Sequence, residues 1–317
     1  MSDERCSLLA CEVDGDREWT MDDYARSEAR WCPGCGDHAI LTAVERVLET
    51  EQLAPEQTVF VSGIGCSSRF PHYLNTYGFH GVHGRALPIA TGVKLRRPDL
   101  HVFVVMGDGD CCSIGAGHWI HTTRYNPRMV ALMLDNGVYG LTKNQTSPTS
   151  RQGKASNTQP RGAYLPPINP ISVTLGVSNV SFVAQTGDWL PAHLYATILA
   201  AHHHRGFAFV RILQRCPQYT TDLFDPAVRD PGLVELMVHP DGVTVPGLDR
   251  IYKNQIRHDP ADLTEAMRLA EPDGRVRLGV FYRNESLPVY EETRRVTARS
   301  AAEKVRLLNE ELDRHAV

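Results

Sequence analysis

Two short clusters in this chain carry residue types that can hold a divalent cation. Gly107-Asp108-Gly109 follows the apolar run Val102-Phe103-Val104-Val105-Met106, and Asp135-Asn136-Gly137 follows Met129-Val130-Ala131-Leu132-Met133-Leu134. Both runs have strand length and no alternation, the pattern of parallel strands buried on both faces. Open α/β sheets bind ligands at the carboxyl ends of such strands. The Asp108 carboxylate, the Asn136 amide oxygen and a backbone carbonyl just beyond it make a hard oxygen set suited to Mg²⁺. Gly107 and Gly109 let an anion approach the backbone closely. A cation held there would join a protein carboxylate to a phosphate-type ligand. One Gly-Asp-Gly turn is weak evidence, since such turns are common between strands; the second strand end strengthens it.

Eight cysteines are the other chemical signal. Cys32 and Cys35 form a Cys-x-x-Cys pair just ahead of Ala39, Ile40, Ala43, Val44, Val47 and Leu48, which fall at helical spacing, with Asp37 as the expected N-cap. The pair therefore lies at a helix N-terminus, where backbone N–H groups favour thiolates. Cys66 follows the strand-like run Thr58-Val59-Phe60-Val61-Ser62, and Cys216 follows another from Phe207 to Leu213. All four leave regular elements at what should be one sheet edge. Four thiolates suit a tetrahedral zinc or a 4Fe–4S cluster, and spacing alone leaves both open. Cys111 and Cys112 read as small packing residues, and Cys6 and Cys11 as incidental. His202-His203-His204 cannot converge on one ion, because successive helical positions point about 100° apart. They fit better as cations at a helix C-terminus.

The elements that must position these groups follow from pattern. A small-residue helix is expected over Ala86 to Val93 and a crossover helix from Gly115. A strand is expected at 181–184 and a helix at 189–205. Residues 142–170 are polar and aperiodic, and a long loop inside a compact domain is usually functional. Asp259-Pro260 reads as a helix start, and the last twenty or so residues as a charged amphipathic helix. Together these predict an α/β protein with a mostly parallel sheet flanked by helices. It divides into an N-terminal arm (1–25), a ligand-binding domain (26–225) and a C-terminal extension (226–317) that forms an interface. With 317 residues, Lys+Arg 33 against Asp+Glu 37 and a net charge of -4, the chain has no basic excess for nucleic acid. No run has the length of a membrane span, and the polar start, Met1 to Arg5, lacks a secretion signal. A cytoplasmic location is expected, where cysteines serve metals or catalysis before disulfides.

Gly107-Asp108-Gly109 followed by Asn136 resembles the thiamine diphosphate motif. The stretch Asp135-Asn136-Gly137-Val138-Tyr139-Gly140-Leu141-Thr142-Lys143 resembles the β subunit of 2-oxoacid:ferredoxin oxidoreductases, and the likeness covers roughly residues 31–219. It implies a thiamine diphosphate-binding fold with Mg²⁺ on Asp108, Asn136 and the Val138 carbonyl. Ile64, Gly65, Cys66, Ser67, His83, Gly84, Gly109, Asp110, Gly140 and Leu141 would line the coenzyme, and Cys32, Cys35, Cys66 and Cys216 would bind a 4Fe–4S cluster. Arg69 and Lys143 would meet a substrate carboxylate or a coenzyme A phosphate, with Lys143 nearer the 2-oxo acid. Asn144 replaces the glycine common after this lysine in the family, so the pocket shape stays open.

The implied reaction turns a 2-oxo acid, coenzyme A and oxidised ferredoxin into an acyl-coenzyme A, CO₂ and reduced ferredoxin, in either direction. Lys143, Arg69 and Asp259-Pro260-Ala261-Asp262 resemble the 2-oxoglutarate branch; pyruvate or a branched-chain acid is the alternative. The activating glutamate would come from an α subunit, in a heterotetramer of two α and two β chains. Two competing readings are a non-catalytic, zinc-stapled electron-transfer or scaffold subunit, and a thiamine-dependent decarboxylase without redox chemistry, which would have no use for Cys32 and Cys35.

Overall fold

The computed structural model describes residues 17–294 and 299–315. Among them are nine strands: β1 (Thr58–Ser62), β2 (Tyr77–His80), β3 (His101–Gly107), β4 (Met129–Asp135), β5 (Phe182–Gly187), β6 (Phe207–Leu213), β7 (Val234–Val238), β8 (Gln255–Arg257) and β9 (Val276–Arg283). They form one sheet ordered β2-β1-β3-β4-β6-β5-β9-β7-β8. The six strands from β2 to β5 run parallel. Strand β9 pairs antiparallel with β5, and β7 runs parallel to β8 and β9.

The uniformly apolar runs become central strands because both faces of the sheet are covered. Side chains alternate between the faces. Phe60, Phe103, Val105 and Leu132 pack beneath the helices Gly36–Thr50 and Pro191–His203, and the Phe60 and Phe103 rings stack at 5.0 Å. Val59, Val61, Val104 and Met133 face the helices Ala86–Arg96, Ala116–Tyr125 and Leu263–Ala270. The helix Gly36–Thr50 presents Ile40, Val44, Val47 and Leu48 to the sheet, all fully buried, as their spacing requires.

Several local expectations are corrected. Asp37 does not cap the first long helix: Cys35 occupies the N-cap position, and Asp37 lies in the first turn, wholly buried. The cause is tertiary, since Gly36 N donates to Arg215 O at 3.1 Å and draws the helix start toward the strand-β6 loop. Asp259 is not a cap either; its carboxylate closes a turn onto Ala261 N, and Asp262 caps Leu263–Ala270 by accepting from Glu265 N at 3.0 Å. Of the three histidines only His203 meets a carboxylate closely, Glu51 at 2.8 Å. Burial holds His202 and His204 down at about 4, so neither serves as a helix-end cation at neutral pH.

Most of the expected N-terminal arm, with Cys6 and Cys11, lies outside the described residues. Its last part does not hang free: the hydroxyl of the buried Tyr24 lies 2.9 Å from Leu48 O and 3.0 Å from Leu53 O, sharing its one hydrogen between the two carbonyls. Strands β2, β7, β8 and β9 were not expected, and the last three extend the sheet with residues from beyond 226. The helix Ala301–Arg314 matches the amphipathic pattern and leaves Val305, Leu308 and Leu312 exposed. No described helix is long and apolar enough to cross a membrane.

Candidate cofactor and cysteine site

Strands β1, β3, β4 and β6 are neighbours, so their carboxyl ends bring distant parts of the sequence to one edge. A cleft opens there. The β1 end contributes Ile64, Gly65, Cys66 and Ser67; the β3 end Asp108, Gly109 and Asp110; the β4 end Asn136, Val138, Gly140 and Leu141; and the loop after β2 contributes His83. Gly84 stands behind it, donating its N–H to Asp110 Oδ1 at 2.6 Å. Asp110 Oδ1 also pairs with His83 Nδ1 at 2.7 Å. Asp110 thus fixes the His83-Gly84 turn against the π-helical turn Asp110–Ile114, a feature often found at functional sites. Gly109 cannot be replaced here, because an added Cβ would stand 2.2 Å from the Tyr139 ring. The Tyr139 hydroxyl instead donates to Gly109 O at 3.0 Å.

Behind the cleft lies a buried polar relay. Thr149 Oγ1 contacts Asp108 Oδ2 at 2.7 Å and Asp135 Oδ1 at 2.8 Å, and Asp135 Oδ2 accepts from Arg211 Nε and Nη2 at 2.8 and 2.5 Å. A hydroxyl has one hydrogen to give, so one of the two carboxyls must be protonated or be served by a cation. Burial and the Asp135 charge both push the Asp108 carboxyl above its ordinary range. Thr149→Val keeps the shape but removes both contacts. Its expected cost is about 1–3 kcal/mol of unfolding free energy, with Thr149→Ser near wild type, as read by chemical denaturation. Asn136 is held by three partners, its Nδ2 donating to Gln214 Oε1 at 2.7 Å, its Oδ1 accepting from Val138 N at 3.2 Å and its backbone carbonyl accepting from Thr220 Oγ1 at 2.9 Å.

The cysteine loops meet the same edge. Trp31 Nε1 donates to Cys66 O at 2.7 Å, and Gln214 Nε2 donates toward Cys35 Sγ at 3.3 Å. Cys66 Sγ lies against Gly140, 3.7 Å from where a Cβ would stand there. The cysteines Cys32, Cys35, Cys66 and Cys216 are all free, and exposure falls from Cys32 to the buried Cys216. Burial raises the Cys35 thiol strongly and the Cys66 thiol to about 12, with the Asp37 and Cys216 charges adding to both. Asp37 itself is pushed up to about 7 by burial, and neither of its carboxyl oxygens has a hydrogen-bond partner among the described residues. Gly36 is required by its neighbour, since a Cβ would fall 1.6 Å from Asp188 Oδ2. Among the described residues no three His, Cys, Asp or Glu side chains stand at the spacing of a single metal ion.

Arg69 and Lys143 do not line the cleft. Arg69 Nη1 donates to Arg30 O at 3.1 Å and its guanidinium lies over the Tyr73 ring, whereas Lys143 follows directly on the lining residues Leu141 and Thr142. Sequence reading missed Thr149, Arg211 and Gln214. Arg211 alone carried a usable signal, a cation within the otherwise apolar run of β6. Cys111 and Cys112 are buried packing residues, with Cys112 Sγ 3.6 Å from Met133 Sδ. A larger cavity of about 670 Å³ lies at the opposite end of the sheet, lined by Trp19, Glu51, His101, Arg128 and His202. It sits at the amino ends of the parallel strands, away from the edge where such sheets bind ligands.

The parallel sheet thus brings the Gly-Asp-Gly turn and the Asn-containing turn to neighbouring strand ends. The family model for the C-terminal thiamine pyrophosphate-binding domain of thiamine pyrophosphate enzymes matches residues 63–212. A second model, for the C-terminal part of the pyruvate ferredoxin oxidoreductase beta subunit, matches residues 248–299. The 2-oxoacid:ferredoxin oxidoreductase subunit beta of Sulfolobus sp is 39% identical over 279 residues, 86% of this chain and 87% of that one. The chain belongs to the family of 2-oxoacid:ferredoxin oxidoreductase β subunits. The 2-oxoglutarate oxidoreductase subunit KorB of Mycobacterium tuberculosis is 49% identical over 211 residues, 67% of this chain but only 56% of that relative's length. Among solved structures, the 2-oxoglutarate:ferredoxin oxidoreductase from Magnetococcus marinus with 2-oxoglutarate, coenzyme A and succinyl-CoA bound aligns with a TM-score of 0.77 at 34% identity, over 95% of this chain and 98% of that one.

Proposed function

We propose that this chain is the catalytic β subunit of a 2-oxoglutarate:ferredoxin oxidoreductase, converting 2-oxoglutarate and coenzyme A to succinyl-CoA and CO₂ while reducing ferredoxin, or running in reverse. The observation that carries the reading is the position of Cys66, which lines the cofactor cleft and belongs to the cysteine group. The names of the mycobacterial relative and the Magnetococcus structure favour 2-oxoglutarate over pyruvate or a branched-chain acid.

Asp108, Asn136 and the Val138 carbonyl would hold Mg²⁺, and the crowding of Asp108 against Asp135 fits a cation there. Cys32, Cys35, Cys66 and Cys216 would hold a 4Fe–4S cluster. Burial and mutual charge disfavour thiolates until a bound metal neutralises them. When bound, thiamine diphosphate supplies carbanion stabilisation and the cluster supplies one-electron acceptance. The protein's own work is positional: Asp110 sets His83 and Gly84, Tyr139 closes over Gly109, and Lys143, next in sequence to the cleft-lining Thr142, would offer a cation to the acid or to coenzyme A, whereas Arg69 is engaged by Arg30 O and Tyr73.

The cleft measures about 40 Å³, far below the roughly 300–1,000 Å³ of pockets that enclose a ligand. This supports one wall of a site completed by an α subunit, which would also bring the activating glutamate, in a heterotetramer of two α and two β chains. Residues 26–225 carry the cofactor groups in this reading; of 226–317, strands β7 to β9 complete the same sheet, and the exposed Val305, Leu308 and Leu312 of the helix Ala301–Arg314 would serve an interface. Free thiols suit the reducing cytoplasm.

The test is the anaerobically co-purified complex: about four irons with matching sulfide and one thiamine diphosphate per β chain are expected. Zinc without thiamine would instead leave a structural subunit. Cys216→Ser is expected to lose most of the iron and visible absorption while keeping thiamine diphosphate. Retention of full iron would remove Cys216 from the ligand set.

A further inference from the structure

The loop that follows the cofactor cleft contains two consecutive non-glycine residues in left-handed backbone, Lys143 at φ 70° and Asn144 at φ 63°. Side chains oppose that conformation, and two in succession persist only where the surroundings impose it. The imposing groups are identifiable. Asn157 Nδ2 donates to Lys143 O at 2.6 Å, and Asn157 N donates to Asn144 O at 2.8 Å. One residue therefore grips both strained peptides. The base of the turn is closed by the Tyr139–Gln145 bridge and by Lys143 N donating to Gly140 O at 3.0 Å. Thr142 Oγ1 adds a bond to Gln145 Oε1 at 2.6 Å. Ser156 and Thr158 hold the Asn157 segment in place through Thr146: its Oγ1 lies 2.6 Å from Ser156 Oγ, and its N–H donates to Thr158 Oγ1 at 3.2 Å. The Lys143 side chain is exposed, and among the described residues its ammonium has no hydrogen-bond or ion-pair partner.

We infer that Asn157 is a positioning residue: its two hydrogen bonds hold the strained Lys143-Asn144 turn so that the Lys143 side chain leaves the backbone directly beside the cleft-lining Leu141 and Thr142, ready for an anionic group of the substrates. The strain explains the arrangement. Asparagine tolerates left-handed backbone better than most residues, whereas lysine does not, so an unclamped turn would relax and carry the ammonium away from the wall formed by Leu141 and Thr142. A lysine whose backbone is held has less freedom to lose when it binds an anion, and the gain appears in substrate affinity. The inference rests on the role proposed for Lys143 above. The anion is a carboxylate of the 2-oxo acid or a phosphate of coenzyme A, and separate KM values distinguish the two sources.

The experiment uses the assembled complex with both substrates varied. Lys143→Met is expected to raise one of the two KM values. Asn157→Ala is expected to raise the same KM roughly ten-fold, the equivalent of one released left-handed residue, with kcat changed by less than about two-fold. Combined with Lys143→Met, Asn157→Ala should add nothing further. Asn144→Gly, which adopts left-handed backbone without strain, should recover most of the KM lost in Asn157→Ala. A merely structural role for Asn157 would not respond to glycine at a neighbouring position. If Lys143→Met raises a KM and Asn157→Ala does not, or if Asn144→Gly fails to rescue, the clamp is overturned while the Lys143 role stands. If Lys143→Met moves neither KM, the Lys143 role fails and the clamp falls with it.

Discussion

Asp108→Asn is expected to cost the assembled enzyme on the order of 10²–10³ in kcat/KM, several kcal/mol of metal-dependent stabilisation at the transition state. The side chain is isosteric, so the loss would come from charge: an amide oxygen is a poorer Mg²⁺ ligand than a carboxylate. The same substitution removes a buried carboxyl that Asp135 crowds, so the metal-free chain is expected to be as stable as wild type or up to about 1 kcal/mol more stable, a cost carried by the functional residue. Opposite movements of activity and melting temperature, with thiamine diphosphate lost on gel filtration, would be the signature. Wild-type turnover in this variant would take Asp108 out of the metal site.

Arg211→Met is the second large effect, and it falls on stability. Arg211 is the cationic partner of Asp135, which is 1% exposed in the middle of the sheet edge. Leaving a buried carboxylate without its partner costs about 3–5 kcal/mol, a large fraction of what a domain has. Methionine retains the stem volume, so packing loss is small and the charge effect dominates. Adding Asp135→Asn to Arg211→Met should recover much of the loss, because it removes the stranded charge; the double-mutant cycle by urea denaturation reads the coupling. Simple additivity of the two substitutions would mean that the pair is not a unit.

The central part of the fold was legible because its strands are unambiguous. Val102 to Met106 and Met129 to Leu134 are apolar without interruption, Phe207 to Leu213 is broken only by Arg211, and the structure places all three side by side. Their carboxyl ends carry Asp108, Asn136 and Cys216, so the site followed from the strands. Strand β9 was hidden by Arg277 and Arg283 at its two ends, whose charges are met by Glu235 and Glu285. Strand β7 was hidden by Glu235, buried in the same ion pairs. Pairing across the sheet makes the Glu235 and Arg277 charges tolerable, and that pairing is not visible in a local window. The relay behind the cleft was missed for a similar reason. Thr149 sits in a polar loop where hydroxyls are ordinary, and only the fold brings it between two carboxyls. The Asp37 and Asp259 caps failed because a tertiary contact moved one helix start and an aspartate turn competed for the other.

The antiparallel seam between β5 and β9 has a consequence for synthesis. The chain leaves the ribosome from its N-terminus, so β5 and β6 can pair while the outer edge of β5 waits for Val276 and the residues after it. At ordinary elongation rates that wait is on the order of ten seconds. During it the nascent chain presents an apolar strand edge, Phe182-Val183-Ala184, with unsatisfied amides, the kind of surface that templates aggregation. Seen this way, the residues after 226 act as a late-arriving cover for the nascent sheet, and chains released before β9 has emerged are the ones expected to need a chaperone.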